Sequence, residues 1–101
     1  MNTQGIYDIA EIKHRLEPIF RVNGVKSAVL FGSYAKGEAT ENSDIDILVD
    51  SGLRGLDFVE LIEYVRDALQ KEVDVIDRHY IDKNSRIEHE VKNTGVMIYG
   101  I

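Results

Sequence analysis

Residues 44–49 read Asp-Ile-Asp-Ile-Leu-Val, and this alternation restricts the fold more than any other feature of the chain. Ile45, Ile47 and Val49 recur with a period of two, the spacing at which a strand turns successive side chains to opposite faces. One face of the strand is therefore apolar and asks for a core. The other carries Asp44, Asp46 and Leu48, so two acids leave the sheet on one side with their Cα atoms about 6.5 Å apart.

The remaining segments supply the rest of a sheet and its cover. Ala28-Val29-Leu30-Phe31, bounded by Gly24 and Gly32, is an apolar run of strand length, and a strand is predicted over residues 25–31, followed by a loop rich in Gly and Ser. Val73-Asp74-Val75-Ile76 and Val96-Met97-Ile98-Tyr99 read as two further strands. Ile6, Ile9, Ala10, Leu16, Ile19 and Phe20 fall at helical spacing, with Gly24 closing the helix and Pro18 either bending it or starting a second short one. Past the turn at Gly52 and Gly55, Phe58, Leu61, Ile62, Val65, Ala68 and Leu69 form a helical stripe with Asp57 and Glu60 as a capping box. Ser85-Arg86-Ile87-Glu88 opens a last helix with another capping box, and Gly95 ends it. No repeat, low-complexity run or linker divides the sequence. A single α/β (α+β) domain over residues 1–101 is expected, a small mixed sheet flanked by helices.

Composition narrows the chemistry. The 101 residues contain no cysteine, which removes disulfides, thiolate catalysis and most structural zinc sites. A net charge of -6 makes a poor nucleic-acid binder, since non-specific affinity comes from Lys and Arg replacing counterions on phosphates. No stretch of about 18 apolar residues is present to span a membrane, and the first residues lack the apolar core of a signal peptide. A cytoplasmic protein is expected.

Asp44 and Asp46 repel each other unless a cation lies between them. Hard oxygen ligands favour Mg²⁺ or Mn²⁺ over zinc, and Mg²⁺ commonly takes one or two carboxylates with substrate phosphates and water completing its shell. Upstream lies Gly32-Ser33-Tyr34-Ala35-Lys36-Gly37. Glycine lets backbone N–H groups approach a phosphate, Ser33 can add a hydrogen bond and Lys36 supplies charge, so Gly32, Ser33 and Lys36 are candidate nucleotide-binding residues. A third acid would complete a two-metal site. Asp74 is the best candidate, because it interrupts an apolar strand where a buried carboxylate needs a partner or a metal. Asp77, at the end of that strand, is read instead as a turn cap.

With Gly32-Ser33 followed by Ser43-Asp44-Ile45-Asp46, the chain resembles the nucleotidyltransferase superfamily that includes DNA polymerase beta, and its shortness and its Gly-Ser-Tyr-Ala-Lys-Gly loop are similar to the minimal nucleotidyltransferases, the MNT proteins. The resemblance implies the nucleotidyltransferase fold, a Gly-Ser loop that holds a nucleoside triphosphate, and three acids, here Asp44, Asp46 and Asp74, that hold two Mg²⁺ ions. Lys36 stands where many relatives carry Arg, and a lysine acts as a point charge rather than a bidentate clamp. Members of the MNT group are commonly antitoxins paired with a HEPN-domain RNase toxin. The resemblance therefore implies transfer of AMP from ATP to a tyrosine of that toxin, in a hetero-oligomer with it. On sequence alone two other readings stay open: an antitoxin that works by occlusion without catalysis, and a nucleotidyltransferase acting on RNA or a small molecule.

Other polar residues have simpler roles. His14, His79 and His89 show no metal-ligand spacing. Tyr34 could stack on the base or serve in packing or partner contact. Glu60, Glu63 and Asp67 lie off the apolar stripe, on a solvated helix face, and nothing ties Arg54 or Arg66 to the loop.

Overall fold

A computed structural model describes residues 6–100. In chain order it forms α1 (Ile9–Val22), β1 (Ser27–Phe31), α2 (Gly32–Lys36), β2 (Ile45–Asp50), α3 (Leu56–Leu69), β3 (Val73–Asp77), a 3-10 turn (Arg78–Tyr80), α4 (Arg86–Thr94) and β4 (Val96–Tyr99). The four strands make one sheet in the order β3-β2-β1-β4. β1 runs antiparallel to both β2 and β4, whereas β2 and β3 are parallel, joined by α3 as a crossover. The sheet is mixed, as the sequence implies. No helix among the described residues is long and apolar enough to cross a membrane.

The period-two alternation of β2 divides the sheet into two unlike faces. Ile45, Ile47 and Val49 are fully buried with Ala28 and Leu30 of β1, against Ile12, Leu16 and Phe20 of α1 and Leu61, Val65 and Leu69 of α3. These side chains, with Ile98 of β4, form the main core. On the opposite face Val29 pairs with Leu48, and Phe31 with Asp46. Phe31 and Leu48 are buried there but stand apart from the main core. α4 covers part of this second face: it packs on β1 and α2, and a Cβ placed on Gly95 at its C-terminus would lie 2.8 Å from Cγ1 of Val29.

Local signals explain most boundaries and correct some. α1 starts at Ile9 because the Asp8 carboxylate accepts the Glu11 N–H at 2.8 Å. Ile6 precedes the helix, and Pro18 lies inside one continuous helix rather than starting a second, leaving the loss of a single backbone donor as its local effect. The Gly/Ser stretch after β1 is a short helix, α2, rather than a loop. Gly32 at φ +74° turns the chain sharply off the strand, buried Tyr34 anchors the helix, and Gly37 at φ +74° ends it. The capping box expected from Asp57 and Glu60 does not form. α3 begins at Leu56 with Gly55 as its N-cap, which places Asp57 inside the first turn, where its charge favours the helix N-terminus without capping it. At α4 the Ser85 hydroxyl accepts the Glu88 N–H at 3.2 Å, as expected, but the Glu88 carboxylate reaches back to the Asn84 N–H instead of that of Ser85.

Candidate active site

Parallel pairing sets Asp46 of β2 directly beside Asp74 of β3, so the two carboxylates rise from neighbouring strands on one face. Asp44 precedes β2 by one residue and is exposed. Asp46 is half-buried and Asp74 exposed. Burial therefore does not single out Asp74, contrary to the sequence expectation. β3 is an edge strand, and its acid face has no cover at that point. The carboxylate in the costly environment is Asp46. Partial burial first, then the charges of Asp74, Asp44 and Glu90, push its pKa up from 3.8 to about 6.

The α2 turn closes on the same carboxylate. A Cβ built on Gly32 would stand 2.2 Å from Oδ2 of Asp46, so no other residue fits at position 32 with this side chain in place. Ser33, half-buried, follows at once, and Lys36 lies three residues on, exposed and on the same side of the helix. The structure thus gathers Gly32, Ser33, Asp44, Asp46 and Asp74 at one edge of the second face, with Lys36 one turn away.

The donor chemistry fits a hard divalent cation. Burial first, and the neighbouring carboxylates second, disfavour the charged form of Asp46; positive charge would relieve both, and Mg²⁺ needs only one or two carboxylates. Among the described residues no three His, Cys, Asp or Glu side chains are grouped closely enough to hold a metal ion together. An open site on Asp46 with Asp44 or Asp74 suits a metal shared with substrate phosphates rather than one enclosed by protein.

Three other residues turn out differently from, or beyond, the sequence expectation. Tyr34 is 4% exposed and packs in the core, its hydroxyl without a hydrogen-bond partner among the described residues, so it offers no ring to a nucleotide base. Asp77 is a turn cap as read, accepting the His79 N–H at 2.9 Å, and it also accepts the N–H and hydroxyl of Ser51, which clamps the ends of β2 and β3 together. Glu90 was missed. Sequence spacing places it on a helix, but only the path of α4 across the second face brings its charge to Asp46. The signal available was the Ser85 cap, which fixes the phase of that helix.

Comparison with known proteins bears on the family and the fold. Residues 14–101 match the polymerase beta nucleotidyltransferase family. A candidate protein adenylyltransferase of Methanocaldococcus jannaschii is 49% identical over 68% of this chain and 76% of its own length. The protein adenylyltransferase MntA of Thermococcus cleftensis is 47% identical over 52% of this chain and 56% of its own length, so the match spans less than two thirds of that relative. Among solved structures, a chain of a toxin–antitoxin complex with AMP-PNP superposes with a TM-score of 0.75 at 28% identity, covering 88% of this chain and 73% of that one. A candidate minimal nucleotidyltransferase gives 0.71 at 26% identity, covering 89% and 95%. The MNT antitoxin in complex with a tri-AMPylated HEPN toxin of Shewanella oneidensis shares the fold, with a TM-score of 0.70 at 24% identity and coverage of 92% and 73%. With a mixed sheet that sets acids beside a Gly-Ser turn and a family match running through most of its length, this chain belongs to the polymerase beta nucleotidyltransferase family.

Proposed function

We propose that this chain transfers AMP from ATP to a tyrosine hydroxyl of a HEPN-domain toxin and thereby serves as that toxin's antitoxin. The observation that carries the reading is the approach of Gly32 to Asp46, which leaves room for no side chain between the Gly-Ser turn and the acids. A triphosphate held at the turn would lie beside carboxylates suited to its metal. The 47% identity to an MntA adenylyltransferase and the likeness to a toxin–antitoxin complex containing an ATP analogue support the same donor and the same class of partner.

In this reading the backbone at Gly32 and the Ser33 hydroxyl hold the β- and γ-phosphates, and Lys36 adds a positive charge at their flank. Asp44, Asp46 and Asp74 would hold two Mg²⁺ ions, with Mn²⁺ as a substitute. Bound there, the ions would supply charge stabilisation at the reacting phosphates. The tyrosine oxygen attacks the α-phosphorus in line, its bond to that atom forms as the bond to pyrophosphate breaks, and the chain's part is to hold the two reactants in register.

The test is coexpression with a HEPN toxin. Wild-type protein should protect cells and leave the toxin heavier by AMP on intact-mass analysis, whereas the Asp44→Asn/Asp46→Asn variant should do neither. Protection by the double variant without added mass would replace catalysis with occlusion.

A further inference from the structure

We propose that Ser43 is a positioning residue for Asp44, closing with its hydroxyl the turn that fixes the backbone from which the Asp44 carboxylate is offered to a divalent cation. The inference rests on the function proposed above and deepens it, adding a residue that acts through an acid rather than on the substrate.

The three acids reach the site by different means. Asp46 and Asp74 stand inside β2 and β3, opposite each other in the parallel ladder. Asp44 is exposed and precedes β2 by one residue, so neither strand pairing nor burial holds it in place. A carboxylate left loose would have to be ordered each time a cation arrived, and that entropy would be lost from affinity.

The backbone on either side of Asp44 is pinned instead. After it, the Ile45 N–H donates to the Glu72 carbonyl at 3.1 Å, at the start of the ladder with β3. Before it, residues 40–43 form a turn that is closed twice. The Ser43 N–H donates to the Thr40 carbonyl at 3.0 Å, and the Ser43 hydroxyl accepts the Thr40 N–H at 2.9 Å. Inside the turn the Thr40 hydroxyl accepts the Asn42 N–H at 3.3 Å and stands 3.3 Å from that of Ser43. The turn is also tied to the rest of the molecule, because the Lys71 ammonium donates to the Glu41 carbonyl at 3.0 Å just ahead of β3. Thr40, Glu41 and Asn42 are exposed and the turn carries no core residue, so opening it would leave the packing of the sheet intact. What its bonds determine is the path of the chain into Asp44. Ser43 takes part in both closing bonds and is the residue joined to Asp44, which makes it the point where the turn acts on the acid.

Calorimetric binding of AMP-PNP in the presence of Mn²⁺, without toxin, tests this independently of turnover. Ser43→Ala should weaken the Kd by about 10-fold, the lower end of what a supporting partner of a metal ligand contributes. Ser43→Thr, which keeps the hydroxyl, should bind as the wild type does. In an Asp44→Asn background Ser43→Ala should cost nothing further, since its effect runs through that carboxylate. In AMP transfer, Ser43→Ala should raise the Mg²⁺ concentration for half-maximal rate by a similar factor, with the rate restored at saturating Mg²⁺. An unchanged Kd for Ser43→Ala, Ser43→Thr no better than Ser43→Ala, or a rate loss that Mg²⁺ does not restore would each overturn the assignment. So would the same loss in the Asp44→Asn background, which would mark Ser43 as a direct phosphate contact or a residue of general structural effect. Failure of the wild-type chain to bind AMP-PNP with Mn²⁺ is a different result, visible before any variant is compared, and it removes the functional reading along with this one.

Discussion

The two faces of the sheet are built from the same strands and do opposite things. On one, Ile45, Ile47 and Val49 disappear completely beneath α1 and α3. On the other, the residues between them place Asp46 beside Asp74 and leave both in reach of solvent. A period of two lets a single strand serve as core and as chemistry, and the rigid side holds the reactive side in position. The active face accepts a local penalty for this, seen in the partial burial of Asp46 and the acids around it.

Substitutions that hit one face and spare the other can break that comparison. The largest effect is expected from Asp46→Asn, which should reduce AMP transfer by about three orders of magnitude, equivalent to several kcal/mol of activation free energy, with no loss in melting temperature. A matched fall in activity and melting temperature would mean that the faces are not separable. Ile47→Ala is the converse. Truncating a fully buried side chain should cost about 2–5 kcal/mol in chemical denaturation, while transfer persists at a temperature where the variant stays folded. Gly32→Ala should affect both faces at once. Its φ of +74° costs an alanine roughly 1–2 kcal/mol, and the new methyl would displace the Asp46 carboxylate, so transfer should fall further than denaturation predicts.

Much of this division is legible in the sequence, because β2 states it in six consecutive residues. What could not be read depended on packing between distant segments. The helical form of Gly32–Lys36 needs Tyr34 seated in the core, which a five-residue stretch cannot announce. Asp74 is open because β3 is the edge strand, a fact of sheet order rather than of the Val-Asp-Val-Ile pattern. Glu90 joins the acids only because α4 crosses the second face on its way to β4, the partner of β1. The capping box at Asp57 failed for a local reason, since a helix that starts two residues early converts a cap position into a first-turn position.

Two smaller effects sharpen the comparison. Ser85→Ala removes the cap that holds α4 over the active face and should cost about 1 kcal/mol in denaturation. The penalty at Asp46 should also appear as a pH dependence of stability in metal-free protein. Its folded pKa of about 6 lies above the ordinary 3.8, so folding favours the protonated form; the stabilisation is full below about pH 4 and is lost as pH rises through 6. Partial exposure limits the effect to on the order of 1 kcal/mol. Denaturation curves of Asp46→Asn should lack that slope, and saturating Mg²⁺ should flatten it in the wild type.

Nucleotidyl transfer by the acid face is what sets this molecule's chemistry apart from that of a binding module. Parallel reactions of the wild-type chain and a HEPN toxin with ATP labelled at the α- or the γ-phosphate test it most directly. The account predicts Mg²⁺-dependent label on the toxin from α-labelled ATP alone, with the γ-label recovered as pyrophosphate. Toxin labelled from the γ-position, or from neither, would contradict it.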